Sequence, residues 1–167
     1  MTLVVIDAQR AFADPASPWC TPGIEAALAG MRRLAGAFAD VVYTRFVPPA
    51  APAGSWVDYY ERWAFARDAD PTVWDLVAPW TGEAAIDLPT LSKWGPELAA
   101  HPELVVCGVS TDCCVLATAL AAVDAGARVR VVADACAADP ELHAAALAIM
   151  RRRGPQLRLS SVDAELG

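Results

Sequence analysis

Two kinds of hydrophobic run alternate along this chain. Short β-branched stretches occur at Leu3-Val4-Val5-Ile6, Val41-Val42-Tyr43-Thr44, Leu104-Val105-Val106-Cys107, Val129-Arg130-Val131-Val132 and Leu157-Arg158-Leu159. Leu3 to Ile6 has no polar alternation, as expected of a strand buried on both faces. The segments between are rich in Ala and Leu and carry a helical period. Ile24, Leu28, Met31, Leu34 and Phe38 recur at steps of three and four, which predicts an amphipathic helix over Ile24 to Phe38. Val115 to Ala125 predicts another, stopped by Gly126. Asp139-Pro140-Glu141 reads as a helix start: a capping side chain, then Pro, then an acid near the positive dipole end. That helix is expected to end at a basic run near Arg152.

Strand–helix alternation predicts an α/β fold, a three-layer sandwich in which a mostly parallel sheet of about six strands carries helices on both faces. The whole chain, 1–167, reads as a single domain without repeats. One stretch differs in kind. Val47 to Pro89 opens with Pro48, Pro49 and Pro52 and then carries Trp56, Tyr59, Tyr60, Trp63, Trp74 and Trp80. It reads as a lid-like excursion with one or two short helices and a weak strand near Ala84 to Ile86.

Composition narrows the function classes. The 167 residues are 56% hydrophobic and 20% charged, enough apolar material for a core. A net charge of −7 repels phosphate backbones and anionic lipid, so neither nucleic acid nor a membrane surface is an expected partner. No apolar run has the length of a membrane span. No basic segment precedes Leu3 to Ile6, so no signal peptide is expected. Five cysteines, an odd number without a disulfide framework, fit a reducing cytoplasmic setting.

Ligands of open α/β sheets bind beyond the carboxyl ends of the strands. Asp7 closes the first strand, Lys93 follows the extended Leu91-Ser92, and Cys114 stands at the start of a predicted helix just beyond the strand ending at Cys107. Taken singly, each has an ordinary structural explanation: a loop hydrogen-bonder, a solvated charge, a small buried hydrophobe. A thiol at a helix N-terminus, however, meets unpaired N–H groups and a positive dipole end, which favour thiolate and can hold an oxyanion. A nearby ammonium and carboxylate would add charge stabilisation and a proton carrier.

GVSTDCCVLATALAAVDAGARVRVVADACAA, Gly108 to Ala138, resembles the signature of the isochorismatase-like cysteine hydrolases. VVIDAQRAF at Val4 to Phe12 is similar to their opening strand and aspartate, and Thr44 to Phe46 and Leu91 to Trp94 match the second-strand end and the lysine segment. The resemblance implies a triad of Asp7, Lys93 and Cys114, with Cys114 rather than Cys113 as nucleophile. It implies a cis peptide at Val109–Ser110 and an oxyanion hole of the Cys114 and Ser110 amides. The implied reaction is cleavage of a carbon–nitrogen bond in an amide, ureide or N-carbamoyl small molecule through a Cys thioester. Homo-oligomers are common among such proteins, and a homo-oligomer is expected here.

Members of the nicotinamidase type bind a metal through histidines after the second strand. Here that region reads Thr44-Arg45-Phe46-Val47-Pro48, and the only histidines are His101 and His143, expected to cap or face solvent. No metal or other cofactor is therefore expected. Phe12, Arg45, Trp56, Tyr60 and Trp94 are the candidate pocket residues. Trp19, Trp63, Trp74 and Trp80 are assigned to core or interface packing, and Cys20, Cys107 and Cys136 to structure. Lys93 and Cys114 stand only 21 positions apart, leaving room for one brief helix, Pro96 to Ala100. Two alternatives stay open: a non-catalytic binding relative of the same fold, and an ether hydrolase of the isochorismate type.

Overall fold

Every β-branched run becomes a strand of one sheet in the computed structural model, which describes residues 1–167. The chain opens with β1 (Thr2–Ile6), α1 (Arg10–Ala13), α2 (Ile24–Ala37) and β2 (Val41–Phe46). The tryptophan-rich excursion folds as α3 (Trp56–Arg62), α4 (Phe65–Asp68) and a 3-10 turn at Pro71–Trp74, and then β3 (Ala85–Leu88) pairs with β2. Next come α5 (Pro96–Ala99) and β4 (Glu103–Val109), a π-turn at Thr111–Val115, and α6 (Leu116–Asp124). β5 (Arg128–Ala137), α7 (Pro140–Arg151), β6 (Leu157–Ser160) and α8 (Val162–Leu166) complete the fold.

All five strand pairings are parallel, in the order β3-β2-β1-β4-β5-β6. β1 is central, and every residue in it is buried, as its unbroken apolar run requires. The chain lays strands outward from β1 to β3 and then returns to build β4, β5 and β6 on the other flank. Right-handed crossovers made in opposite directions put their helices on opposite faces of the sheet. Thus α2 covers one face and α6 and α7 the other. Leu28, Met31 and Leu34 of α2 are almost fully buried, each stabilising the layer by roughly 1.5–3 kcal/mol. Gly30 lets α2 settle on β5: a Cβ there would stand 3.0 Å from Ala135 Cβ. At the start of α7 the Asp139 carboxylate accepts from the N–H groups of Glu141 and Leu142, with Pro140 behind it, as the sequence predicts.

Two elements depart from their predicted bounds. β5 continues well past Val132, because its ladder with β4 shifts between Val106 and Gly108, bringing Gly108 and Val109 opposite Cys136 and Ala137. Asp134, a polar interruption of the apolar run, lies in this continuation and accepts from the Val162 N–H at the start of α8. The helix predicted from Val115 is preceded by the wider π-turn. No helix is long and apolar enough to cross a membrane.

Candidate active site

The strand order reverses between β1 and β4, which opens a crevice beyond their carboxyl ends. Asp7 leaves β1 in the left-handed region, φ 51°, a conformation that Asp tolerates better than most residues. Its carboxyl group is fully buried. The Thr44 hydroxyl donates to Asp7 Oδ1 at 2.7 Å, while Oδ2 accepts no well-formed hydrogen bond. On the facing strand, Gly108 has φ 129°, and a Cβ there would collide with the Ile6 carbonyl oxygen. Only glycine allows β4 to lie so close to the end of β1. Beyond it the Val109–Ser110 peptide is cis and the π-turn begins. The amides of Cys113 and Val115 both donate to the Ser110 carbonyl, at 3.1 and 3.2 Å, so the turn holds Cys114 between them.

Lys93 enters from the other side. Its Nζ lies 3.3 Å from Asp7 Oδ2, and neither side chain has solvent exposure. The ammonium also donates to the carbonyls of Thr90 (2.7 Å) and Leu88 (3.4 Å) and sits 4.9 Å from the centre of the Phe46 ring. The Lys93 backbone N–H donates to the Thr118 hydroxyl, which in turn donates to the Cys114 carbonyl. Thr118 therefore ties the lysine segment to the turn that carries Cys114. The short spacing between Lys93 and Cys114 holds only the four-residue α5 and β4 before the π-turn, and Lys93 and the Cys114 thiol both reach Asp7.

Electrostatics correct one expectation. A hydrogen bond to the Cys113 sulfur, burial and the Asp7 carboxylate together push the Cys114 thiol well above its ordinary value, with Lys93 opposing. The helix-terminus effect does not prevail, because the thiol is nearly sealed and faces an anion. Cys113 is held below its ordinary value by the hydrogen bond from Cys114, against its own burial. Burial raises Asp7, while Lys93, Thr44 and the Cys114 thiol favour its charged form. The Cys114 thiol thus lies beside a buried carboxyl group with which it can exchange a proton.

Cys114, Cys113 and Ser110 form part of a cleft of about 340 Å³ walled by Phe12, Trp19, Phe46, Tyr59, Trp63 and Leu91, with Asp112 also lining it. Of the five predicted pocket residues, only Phe12 lines this cleft. On α3 the helical repeat carries Tyr59 towards the cleft and Trp63 follows one turn on. Trp56 and Tyr60 lie one position round and stack on each other, their ring centres 5.9 Å apart. Tyr60 is buried. Arg45 projects from the opposite face of β2 to Thr44 and Phe46, and its guanidinium forks onto Asp87, its neighbour in the β2–β3 register. Trp94 follows the inward-turned Lys93 and packs half-buried against the core instead. Trp19 and Trp63, assigned from sequence to packing, are cleft walls; Trp74 and Trp80 are buried in the core. The i, i+4 spacing of Tyr59 and Trp63, and that of Cys114 and Thr118, is the sequence signal that could have identified these residues.

Both histidines are half-buried rather than solvent-facing. His143 Nδ1 is 2.8 Å from the Thr111 hydroxyl in the π-turn, and His101 Nδ1 is 2.8 Å from the Thr2 hydroxyl. The residues here do not fit a metal. No three His, Cys, Asp or Glu side chains are grouped so that they could hold a metal ion, and the segment after β2, Val47-Pro48-Pro49, offers no ligand.

The fold and the sequence have clear likenesses. A cysteine hydrolase from Pseudomonas syringae pv. phaseolicola 1448A superposes with a TM-score of 0.82 at 19% identity, over 99% of this chain and 90% of that one. An isochorismatase-like hydrolase from Alkaliphilus metalliredigens gives 0.81 at 20% identity, over 99% and 96%. The N-carbamoylsarcosine amidase of Thermoplasma acidophilum gives 0.73 at 20% identity, over 97% and 96%. At these identities the likeness establishes the fold. No protein of curated function matches the sequence significantly. The model of the isochorismatase domain, in contrast, matches residues 1–160, nearly the whole chain, and by that match this protein belongs to the isochorismatase family.

Proposed function

We propose that this protein is a cysteine hydrolase that cleaves the carbon–nitrogen bond of a small amide without a metal. The observation that carries the proposal is the buried Asp7 carboxyl group: Oδ1 accepts from the Thr44 hydroxyl, Oδ2 faces the Lys93 ammonium without a well-formed hydrogen bond, and the Cys114 thiol lies within reach of the carboxyl at the cleft. In the first step Cys114 Sγ attacks the amide carbon while its proton passes to Asp7 Oδ2. Transfer concerted with attack suits a thiol that is protonated at rest. The amides of Cys114 and Ser110 receive the negative charge that develops on the carbonyl oxygen. Collapse breaks the carbon–nitrogen bond, and Asp7 returns the proton to the departing nitrogen. Water, deprotonated by Asp7, then attacks the thioester; the acid leaves and Cys114 regains its proton. Lys93, anchored by two backbone carbonyls, keeps Asp7 charged and aimed.

The test is ammonia release from a panel of amides, ureides and N-carbamoyl compounds, with intact-mass detection of an acyl adduct during turnover. Activity that disappears in Cys114→Ala, with the adduct mapped to Cys114, is the expected result. An ether hydrolase or a pure binding protein would keep its function in Cys114→Ala, and that outcome overturns the proposal.

A further inference from the structure

A recess of about 480 Å³, larger than the cleft at Cys114, lies at the amino ends of β4, β5 and β6, remote from Asp7 and Cys114. Glu103, Arg128, Arg130, Gln156 and Arg158 line it together with the turns before β5 and β6. We infer that this recess binds a small oxyanion carrying at least two negative charges, a phosphate ester or a polycarboxylate, with Arg128 and Arg158 as its ligands.

Sheet register brings the arginines together. Arg128 and Arg130 stand two positions apart on β5 and so share one face, and Arg130 is directly opposite Arg158 on β6. Like charges facing each other across neighbouring strands are destabilising unless an anion offsets them. Glu165 serves Arg130 alone, accepting from its guanidinium at 2.8 and 3.0 Å. Arg128 reaches Glu103 at 3.3 Å, with side chains 82% and 46% exposed, a contact that water screens strongly. Arg158 is exposed and has no ion-pair partner.

The local charge also opposes that of the chain, whose net charge is −7. Six of the thirteen basic residues fall between Arg128 and Arg158, and Arg151 to Arg153 lead from α7 into the turn at Pro155 that borders the recess. The acids of the same stretch, Asp134, Asp139 and Glu141, belong to the far half of β5 and the start of α7. A charge on an edge strand guards against unwanted strand pairing, and β6 is an edge strand. That accounts for Arg158 by itself. It does not account for a second arginine directly opposite and a third two positions away around one recess. Guanidinium groups so arranged take phosphate or carboxylate oxygens bidentately. The volume suits a small metabolite, while the acidic chain as a whole repels a nucleic-acid backbone.

Calorimetric titration with pyrophosphate and, separately, with citrate tests the inference, at constant ionic strength set by sodium chloride. Saturable binding of at least one, with a dissociation constant below about 1 mM, is the expected result. Binding of pyrophosphate alone assigns the site to phosphate esters, and binding of citrate alone assigns it to polycarboxylates. Arg158→Gln should weaken the binding about tenfold or more. Glu103→Gln removes the one acid that lines the recess and should tighten it. Arg67→Gln, an exposed position bordering a different recess, is the control and should change nothing. Absence of saturable binding by either anion, an unchanged constant in Arg158→Gln, or equal weakening in Arg67→Gln would each overturn the inference. The titration needs no turnover, so its outcome is independent of the hydrolase reading.

Discussion

Lys93 Nζ stands 3.3 Å from Asp7 Oδ2, and water reaches neither side chain. Such a pair is held in place by what its loss would leave behind, an uncompensated buried charge. Lys93→Met or Asp7→Asn is expected to cost about 3–5 kcal/mol of stability. The double variant Asp7→Asn/Lys93→Met removes both charges and should cost clearly less than the two singles added together. All three should lack amide hydrolysis. Urea unfolding with an ammonia assay measures both properties, and strictly additive stability losses would show that the pair is not coupled.

The two adjacent thiols separate into different roles. Cys114→Ser should abolish turnover, because the weaker serine nucleophile sits in a site tuned to a thiol. Cys113→Ala should retain it. Cys113 lies beside the Cys114 thiol and holds its pKa up, so Cys113→Ala should lower the pH at which Cys114 is alkylated. Iodoacetamide labelling across pH, with peptide mapping, checks the direction. An upward displacement would show that Cys113 does not hold the Cys114 thiol up.

The pH dependence follows from Asp7. The base must be unprotonated to accept the thiol proton, and burial raises its pKa against the opposing effects of Lys93, Thr44 and Cys114. The acid limb of kcat/KM should therefore lie above the ordinary carboxylate range. Thr44→Val removes a hydrogen bond that favours the anion, so the limb should move to still higher pH. A limb that stayed in place in Thr44→Val would mean that another group controls it.

Gly108 is a position where one methyl group should be decisive. An added Cβ would meet the Ile6 carbonyl, and φ is 129°. Gly108→Ala is expected to destabilise the fold by about 2–4 kcal/mol. Activity should fall further than stability alone explains, since Ile6 precedes Asp7. Thermal unfolding and kcat in the folded fraction separate the two effects. Ala added at Gly36, where the space is open, is the control and should be neutral or slightly stabilising.

Much of the architecture was legible because it depends on local periodicity. Leu3 to Ile6 could only be a strand buried on both sides, and Ile24 to Phe38 could only be a helix with one apolar face. The candidate site was legible for a different reason: the segments around Asp7, Lys93 and Cys114 resemble the motifs of a known family, and the alternating elements carry all three to one edge of the sheet. The pocket walls were not. Whether Trp56 or Tyr59 reaches the cleft depends on how α3 is rotated over the sheet. That rotation comes from packing against Phe46 and Trp19, residues distant along the chain.

The order of amino acids thus dictated the strands, the principal helices and the acidic character, since each is set by composition or by neighbours within a few positions, and its motifs singled out Asp7, Lys93 and Cys114 as candidates. Folding in three dimensions decided the rest. It buried Cys114 beside Asp7, which pushes the thiol above its ordinary pKa, drew Lys93 to Asp7, and turned Trp19 and Trp63 into walls while it withdrew Arg45 and Tyr60. Burial, distance and side-chain direction are properties of contacts between remote segments, and no window along the chain contains them.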